Sequence, residues 1–324
     1  METINGLINA FILDGKGSGD AVEWPDIRQW DYEQGGIWVH LDFTDPGAQE
    51  WLMRESGLDP IVAEALIAEE TRPRCEPIGD GLLICLRGVN SNPGADPEDM
   101  VSIRLFATEQ RIISTRKRKL LSIRDIDEAL EAGQGPKTSG ALIAMLTQRL
   151  TERMADVITD LDDRIDALEE KVLSGAGREL RHDLLELRRE ILKLRRYLSP
   201  QRDALSRLQG ISAVWLASDD RLKIREAHDK VMRFMEDLDS AKDRASVTHE
   251  ALGNQLAEQM NSRMYVLSLV AGLFLPLGFL TGLLGINVGG IPLADDPQGF
   301  LEIVVILGVV VFIQVVIFMR KKWF

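Results

Sequence analysis

The sequence predicts an α+β membrane protein: an N-terminal α/β domain, a long helical coiled-coil section and two C-terminal transmembrane helices. Three observations carry that prediction. Met264–Leu284 is 21 residues without a charge, enough to cross a hydrocarbon core of ~30 Å at ~1.5 Å per residue. Ile303–Met319 is a second uncharged run, of 17 residues, which Phe300 and Leu301 extend. Upstream of both, short β-type runs give way near residue 135 to helical heptads that continue to the first span.

In the first 135 residues, Leu7–Leu13, Ile37–Phe43, Leu82–Val89, Val101–Ala107 and Arg111–Thr115 read as strands. Asp45-Pro46 and Asp59-Pro60 each place an N-cap before a proline at the first helical position. They start helices running through Met53 and Glu69. Thr108-Glu109-Gln110 reads as a hairpin turn, and Ser122 to Ala132 as a closing helix. Gly133-Gln134-Gly135-Pro136 then breaks the chain, so residues 1–135 are expected to be one α/β domain.

Residues 136–263 are expected to be a helical hairpin and a long stalk helix. Leu150, Met154, Val157, Leu161, Ile165, Leu168 and Val172 step by three and four, ending at Ser174-Gly175-Ala176-Gly177. Leu180, Leu184, Leu187, Ile191, Leu194 and Leu198 repeat the seam before Ser199-Pro200. Two such helices joined by a glycine turn form an antiparallel hairpin, read here as a solvated spacer without chemistry. From Asp220 the pattern stays helical into the first span, and a single helix to Leu284 would be about 95 Å long.

Charge sets the expected topology. Residues 264–324 carry Arg320, Lys321 and Lys322 at the very end, with Asp295, Asp296 and Glu302 as the acidic residues. The positive-inside rule puts the C-terminus in the cytoplasm and the loop 288–299 outside. Two spans, residues 264–287 and 300–319, then make the N-terminal domain cytoplasmic as well, with 320–324 a basic cytoplasmic tail. The N-terminal residues lack the basic start and long apolar core of a signal peptide, so insertion is expected to rely on the C-terminal hairpin.

The net charge of −13 belongs to residues 1–263, which makes nucleic acid a poor partner and cations favourable ones. The basic cluster Arg111, Arg116, Lys117, Arg118, Lys119 and Arg124 lacks interleaved aromatics and reads as a salt-bridging surface. Cys75 and Cys85, the only cysteines, read as buried reduced thiols on neighbouring strands. No nucleophile–base constellation and no phosphate-binding Gly-x-x-x-x-Gly-Lys loop is present, so no enzyme, ATP drive or cofactor is expected.

Along the first span Asn261, Met264, Ser268, Ala271, Leu275, Gly278 and Gly282 form a mostly small or polar seam, with bulky residues elsewhere. Small residues at this spacing serve close helix packing. In a cyclic oligomer the same face would line a water-filled pore, because two spans alone cannot enclose one. Gly285-Ile286-Asn287 ends the span, and Val288-Gly289-Gly290-Ile291-Pro292 cannot continue it. Asn and Gly are ordinary helix-ending residues. They also offer neutral oxygens to a hydrated hard cation, with Asp295 and Asp296 nearby to concentrate cations.

The two C-terminal spans, the acidic α/β domain, the stalk helix and a Gly-x-Asn tripeptide closing the first span resemble the CorA superfamily of divalent-cation transporters. Leu275-Pro276-Leu277 and Thr281 to Asn287 are similar to that family's pore helix. Gly285-Ile286-Asn287-Val288-Gly289-Gly290-Ile291-Pro292 is similar to the ZntB branch of zinc transporters of bacterial inner membranes. The resemblance implies a homopentamer whose first span lines the pore and whose long helices form a cytoplasmic funnel. Gly285, Ile286 and Asn287 would then form the outer mouth. Gly278, Leu275, Ala271, Leu267, Met264 and Asn261 would line the conduit, with Leu275 and Met264 as apolar constrictions. Arg320, Lys321 and Lys322 resemble a basic ring at the inner mouth, and contact with anionic lipid explains them equally well. The acidic loop pattern that usually follows the tripeptide is absent, leaving Asp295 and Asp296 as the nearby carboxylates.

Zinc usually selects Cys and His in tetrahedral sites. The histidines, His40, His182, His228 and His249, stand at no ligand spacing and read as surface residues. His228 and His249 are the two to watch, three heptads apart on the stalk helix. The transported ion, zinc or another divalent cation, is therefore expected to pass hydrated. Neither span carries a mid-depth carboxylate or histidine, which favours passive conduction, while the branch is compatible with export and with proton-coupled uptake. A magnesium or cobalt channel of the same fold and a membrane-anchored scaffold are the alternatives.

Overall fold

The computed structural model describes residues 6–175, 179–286, 290–292 and 296–321. Its sheet is built from the β-branched and apolar runs of the first 116 residues: β1 (Leu7–Leu13), β2 (Gly19–Ala21), β3 (Gly36–Asp42), β4 (Arg74–Ile78), β5 (Gly81–Gly88), β6 (Val101–Ala107) and β7 (Arg111–Arg116). They lie in the order β2-β1-β3-β7-β6-β5-β4. β3 and β7 are parallel and every other pairing is antiparallel.

Alternation along β3 gives each face of the sheet its own core. Ile37, Val39 and Leu41 pack with Leu83, Phe106 and Ile113 against α2 (Pro46–Arg54) and α3 (Pro60–Ile67), following α1 (Trp24–Gln29). Both longer helices start as expected: Asp45 accepts from the N–H of Gly47 (2.8 Å), and Asp59 from that of Ile61 (2.8 Å). On the other face, Trp38 Nε1–H donates to Ser114 Oγ at 2.8 Å, and His40 Nδ1 sits 2.8 Å from the same oxygen. This overturns the surface reading of His40, which is 0% exposed. A histidine in an alternating apolar strand takes the burial of its position.

His40 and Asp127, the latter on α4 (Leu121–Glu131), tilt stability against pH in opposite directions. Burial first, then nearby Arg116, lowers the His40 pKa to about 3. Its neutral ring therefore contributes stability that is lost as pH falls from about 6.5 towards 3. Burial, opposed by Asn9 and Arg116, raises Asp127 to about 7, so its contribution is fullest below 3.8 and lost as pH rises to about 7. Asp127→Asn should accordingly raise the thermal midpoint by an amount that grows from pH 4 to 7 and is level above. A gain independent of pH would contradict this assignment.

α5 (Ser139–Leu173) and α6 (Leu180–Gly210) carry the heptad seams, and both bury them. The first buries Ile158 in place of the expected Val157. Arg164 reaches from α5 to Glu190 on α6 with paired bonds of 2.7 and 2.9 Å. Gly175 takes φ +88°, and the expected turn residues Ala176 and Gly177 lie outside the described residues. α6 does not stop at Pro200 but runs on to Gly210. Arg87 pairs with Ser102 of β6 on one side, but β4 begins at Arg74, opposite Cys85, so the other edge of β5 is open at Arg87 and Gln201 supplies the missing bonds. Its Oε1 accepts from Arg87 N–H (2.7 Å), and its Nε2 donates to Arg87 O (2.9 Å). Tertiary docking here outweighs the local cost of a helical proline.

α7 (Ser218–Leu284) and α8 (Gly299–Arg320) complete the chain, which divides into units at residues 1–249 and 250–324. In the first unit Arg195 of α6 pairs with Asp239 of α7 at 2.8 Å. Arg244 of α7 binds three carboxylates on one face of α5: Asp162 (2.9 Å), Glu169 (2.7 Å) and Asp166. Arg244→Ala leaves three like charges together and should cost about 1 kcal/mol after solvent screening, read as a lower thermal midpoint. A midpoint equal to that of the unaltered protein would remove the clamp from the account.

Candidate functional site

α7 and α8 each contain a stretch long and apolar enough to cross a membrane. Within residues 250–324 they meet at Gly272. A Cβ there would stand 3.2 Å from Phe318 Cζ, and Gln314 Nε2 donates to Gly272 O at 3.5 Å. Leu269, Leu273, Leu277, Leu280 and Leu284 are half-buried on the same side of α7. At 100° per residue, Met264, Leu267, Leu275, Gly278 and Gly282 fall on the opposite side. That stripe is exposed in the single chain, with Leu275 71% accessible. A Cβ added to Gly278 or Gly282 meets nothing within 4 Å. Asn261 is exposed at the start of the stripe, and Ala271 is half-buried.

The helix ends as its glycines allow. Gly285 N–H donates to Thr281 O (3.0 Å) and Gly282 O (3.1 Å), tightening the last turn. Thr281 Oγ1 donates back to Leu277 O (3.0 Å), and Ile286 is exposed beyond it. Asn287, Asp295 and Lys322 lie outside the described residues. Asp296 accepts from Gln298 N–H (2.8 Å) at the entry to α8, and Arg320 and Lys321 sit at its exit. Among the described residues no three His, Cys, Asp or Glu side chains group to hold a metal. His228 Nδ1 lies 3.1 Å from Asp229, and Nδ1 of His249 is buried.

The family model for "CorA-like Mg2+ transporter protein" matches residues 33–322. The chain belongs to the CorA family.

Its CorA relatives include the divalent cation transporter CmaX of Pseudomonas aeruginosa, 42% identical over 98% of this chain and 97% of that protein. The zinc transport protein ZntB of Pectobacterium carotovorum is 38% identical over 98% and 96%. The structure of full-length CmaX covers 99% of both chains with a TM-score of 0.87. The CorA magnesium transporter of Methanocaldococcus jannaschii, at 20% identity and TM-score 0.81 over both whole chains, shares the fold.

Within this CorA hairpin, Gln314 is the residue that sequence reading passed over. A single amide in an otherwise apolar span was the available signal, since such a group in hydrocarbon needs a partner. Here it holds the backbone carbonyl of Gly272. Two residues of the basic cluster at 111–124 form the surface salt bridges expected of it, Lys117 with Glu69 (3.1 Å) and Arg124 with Glu128 (2.7 Å), while Arg111 donates to Ser56 O (2.8 Å).

Proposed function

We propose that this chain conducts divalent cations, zinc among them, across a bacterial inner membrane, through a pore lined by α7 in a homopentamer. The observation that carries the proposal is the stripe Asn261, Met264, Leu267, Ala271, Leu275, Gly278 and Gly282. It is small or open and faces away from α8, the one neighbour the hairpin supplies. In a cyclic assembly it turns towards the central axis and lines the pore, and α8 stands outside.

Gly285, Ile286 and Asn287 then form the outer mouth, with Asp295 and Asp296 drawing cations towards it. Arg320, Lys321 and Lys322 lie at the cytoplasmic side, where they fix topology and meet anionic lipid. Both termini are cytoplasmic in this arrangement. A mouth of neutral oxygens replaces outer-shell water and leaves the ion hydrated, so discrimination among transition ions is weak. Cobalt, nickel and cadmium should each inhibit zinc flux in competition. Zinc flux indifferent to all three would indicate a dehydrated, ligand-selective site instead.

Flux into liposomes containing the purified protein, with zinc and magnesium separately and with or without a pH gradient, tests the function. Zinc flux is the expected result, and its response to the gradient decides whether protons are coupled. Magnesium flux without zinc flux would favour a magnesium channel of the same fold. No flux of either would favour a membrane-anchored scaffold.

A further inference from the structure

The strands β5 and β6 place two arginines side by side without a carboxylate between them. Cys85 pairs with Arg104 and Arg87 with Ser102, so the two guanidinium groups stand diagonally on one face of the sheet. Arg104 is 1% exposed. Its Nη2–H groups donate to Ala68 O and Glu69 O at the end of α3, and its Nε and Nη1 have no partner among the described residues. Arg87 donates to Met100 O and Thr71 O, both at 2.8 Å, lies 4.0 Å over the Tyr197 ring, and also leaves Nε unpartnered. Burial, with Arg87 as a repelling neighbour, lowers the Arg104 pKa.

Both arginines line a cavity of about 470 Å³ in the N-terminal unit, between the end of α3, the start of β6 and α6. Six cationic side chains line it against four carboxylates, in a chain of net charge −13. Three of those carboxylates are already engaged: Glu69 with Lys117 (3.1 Å), and Glu98 and Asp99 with Lys193 (3.4 and 3.3 Å). The four arginines, Arg87, Arg104, Arg118 and Arg196, form no ion pair among the described residues. Arg104 caps the end of α3 with one edge and lies 4.6 Å over the Phe43 ring, which leaves its charge without a carboxylate. Burying positive charge without a counter-charge is costly, and an anion held in the cavity by the more exposed Arg118 and Arg196 offsets that cost.

We infer that this cavity binds a soluble phosphate-bearing anion, a polyphosphate or a nucleotide. Planar guanidinium forks match phosphate oxygens in pairs, which a spherical halide cannot exploit. The volume lies within the range of small-molecule sites.

Calorimetric titration of the full-length protein in maltoside detergent, with EDTA and at constant ionic strength, tests the inference using inorganic tripolyphosphate and ATP as probes. One site per chain is expected, not displaced by chloride. Because Arg104 is buried and its replacement endangers folding, the decisive variant is the exposed pair Arg118→Gln with Arg196→Gln. It should weaken binding by about tenfold or more, the effect of losing charge-assisted hydrogen bonds. ATP binding tighter than tripolyphosphate assigns a nucleotide, and equal affinity assigns the phosphates alone. Absence of binding by both probes, or binding unchanged in the double variant, overturns the inference.

Discussion

Asn287→Ala should abolish divalent-cation flux while leaving assembly intact. α7 ends at Leu284, and Gly285 tightens the turn that follows, so the residue two positions on is the first polar side chain past the span. In the proposed pentamer it supplies a ring of amide oxygens that take the place of outer-shell water around the entering ion. Alanine removes the whole ring at once, since every copy carries the change. Loss of even ~1.4 kcal/mol of ion stabilisation lowers occupancy tenfold, and removal of a complete ring should exceed that. Flux assays at matched protein incorporation read the effect. Undiminished flux through Asn287→Ala would mean that the tripeptide only caps the helix.

Gly272→Leu should disrupt the hairpin itself. A single Cβ at this position already comes to 3.2 Å from Phe318 Cζ. A leucine must push α8 away, breaking the Gln314 bond to the Gly272 carbonyl as well. Overpacking of this kind costs roughly 1–3 kcal/mol, and an exposed amide in hydrocarbon adds to it. The expected readout is loss of the assembled species in detergent. Phe318→Ala should recover part of it, by opening the space that the leucine needs. If the double variant fares no better than Gly272→Leu alone, the contact does not organise the spans. The opposite face offers the contrast: Gly278→Ala fills open space and should leave assembly unchanged.

The legible parts of the fold were those with strong local patterns. Val101–Ala107 and Leu7–Leu13 are dense in β-branched or large apolar residues, and the Asp-Pro pairs announce α2 and α3. β2 was not legible because Gly19-Asp20-Ala21 has no β-propensity and is held by its partner, β1. β4 contains Pro77 and alternating charge, tolerable only because it lies at the sheet edge. The continuation of α6 through Pro200 depends on Gln201 finding the Arg87 backbone, more than a hundred residues away in sequence. In the site, the seam of α7 was legible from residue size, and its separation from α8 required knowing where Gly272 meets Phe318. The arginines of the N-terminal cavity come from three separate elements and the loop after β7, so no spacing in the sequence brings them together.

The most direct test of the conducting stripe is zinc flux through Gly278→Cys before and after a charged thiol reagent. The native thiols do not interfere, since Cys75 and Cys85 are buried and burial pushes Cys75 up to about 12. The added side chain meets no neighbour in the protomer, and the matching control is Val305→Cys, exposed on α8. If α7 lines the pore, the reagent stops flux through Gly278→Cys and leaves Val305→Cys unaffected. Flux through Gly278→Cys that survives complete labelling would contradict a pore on this face.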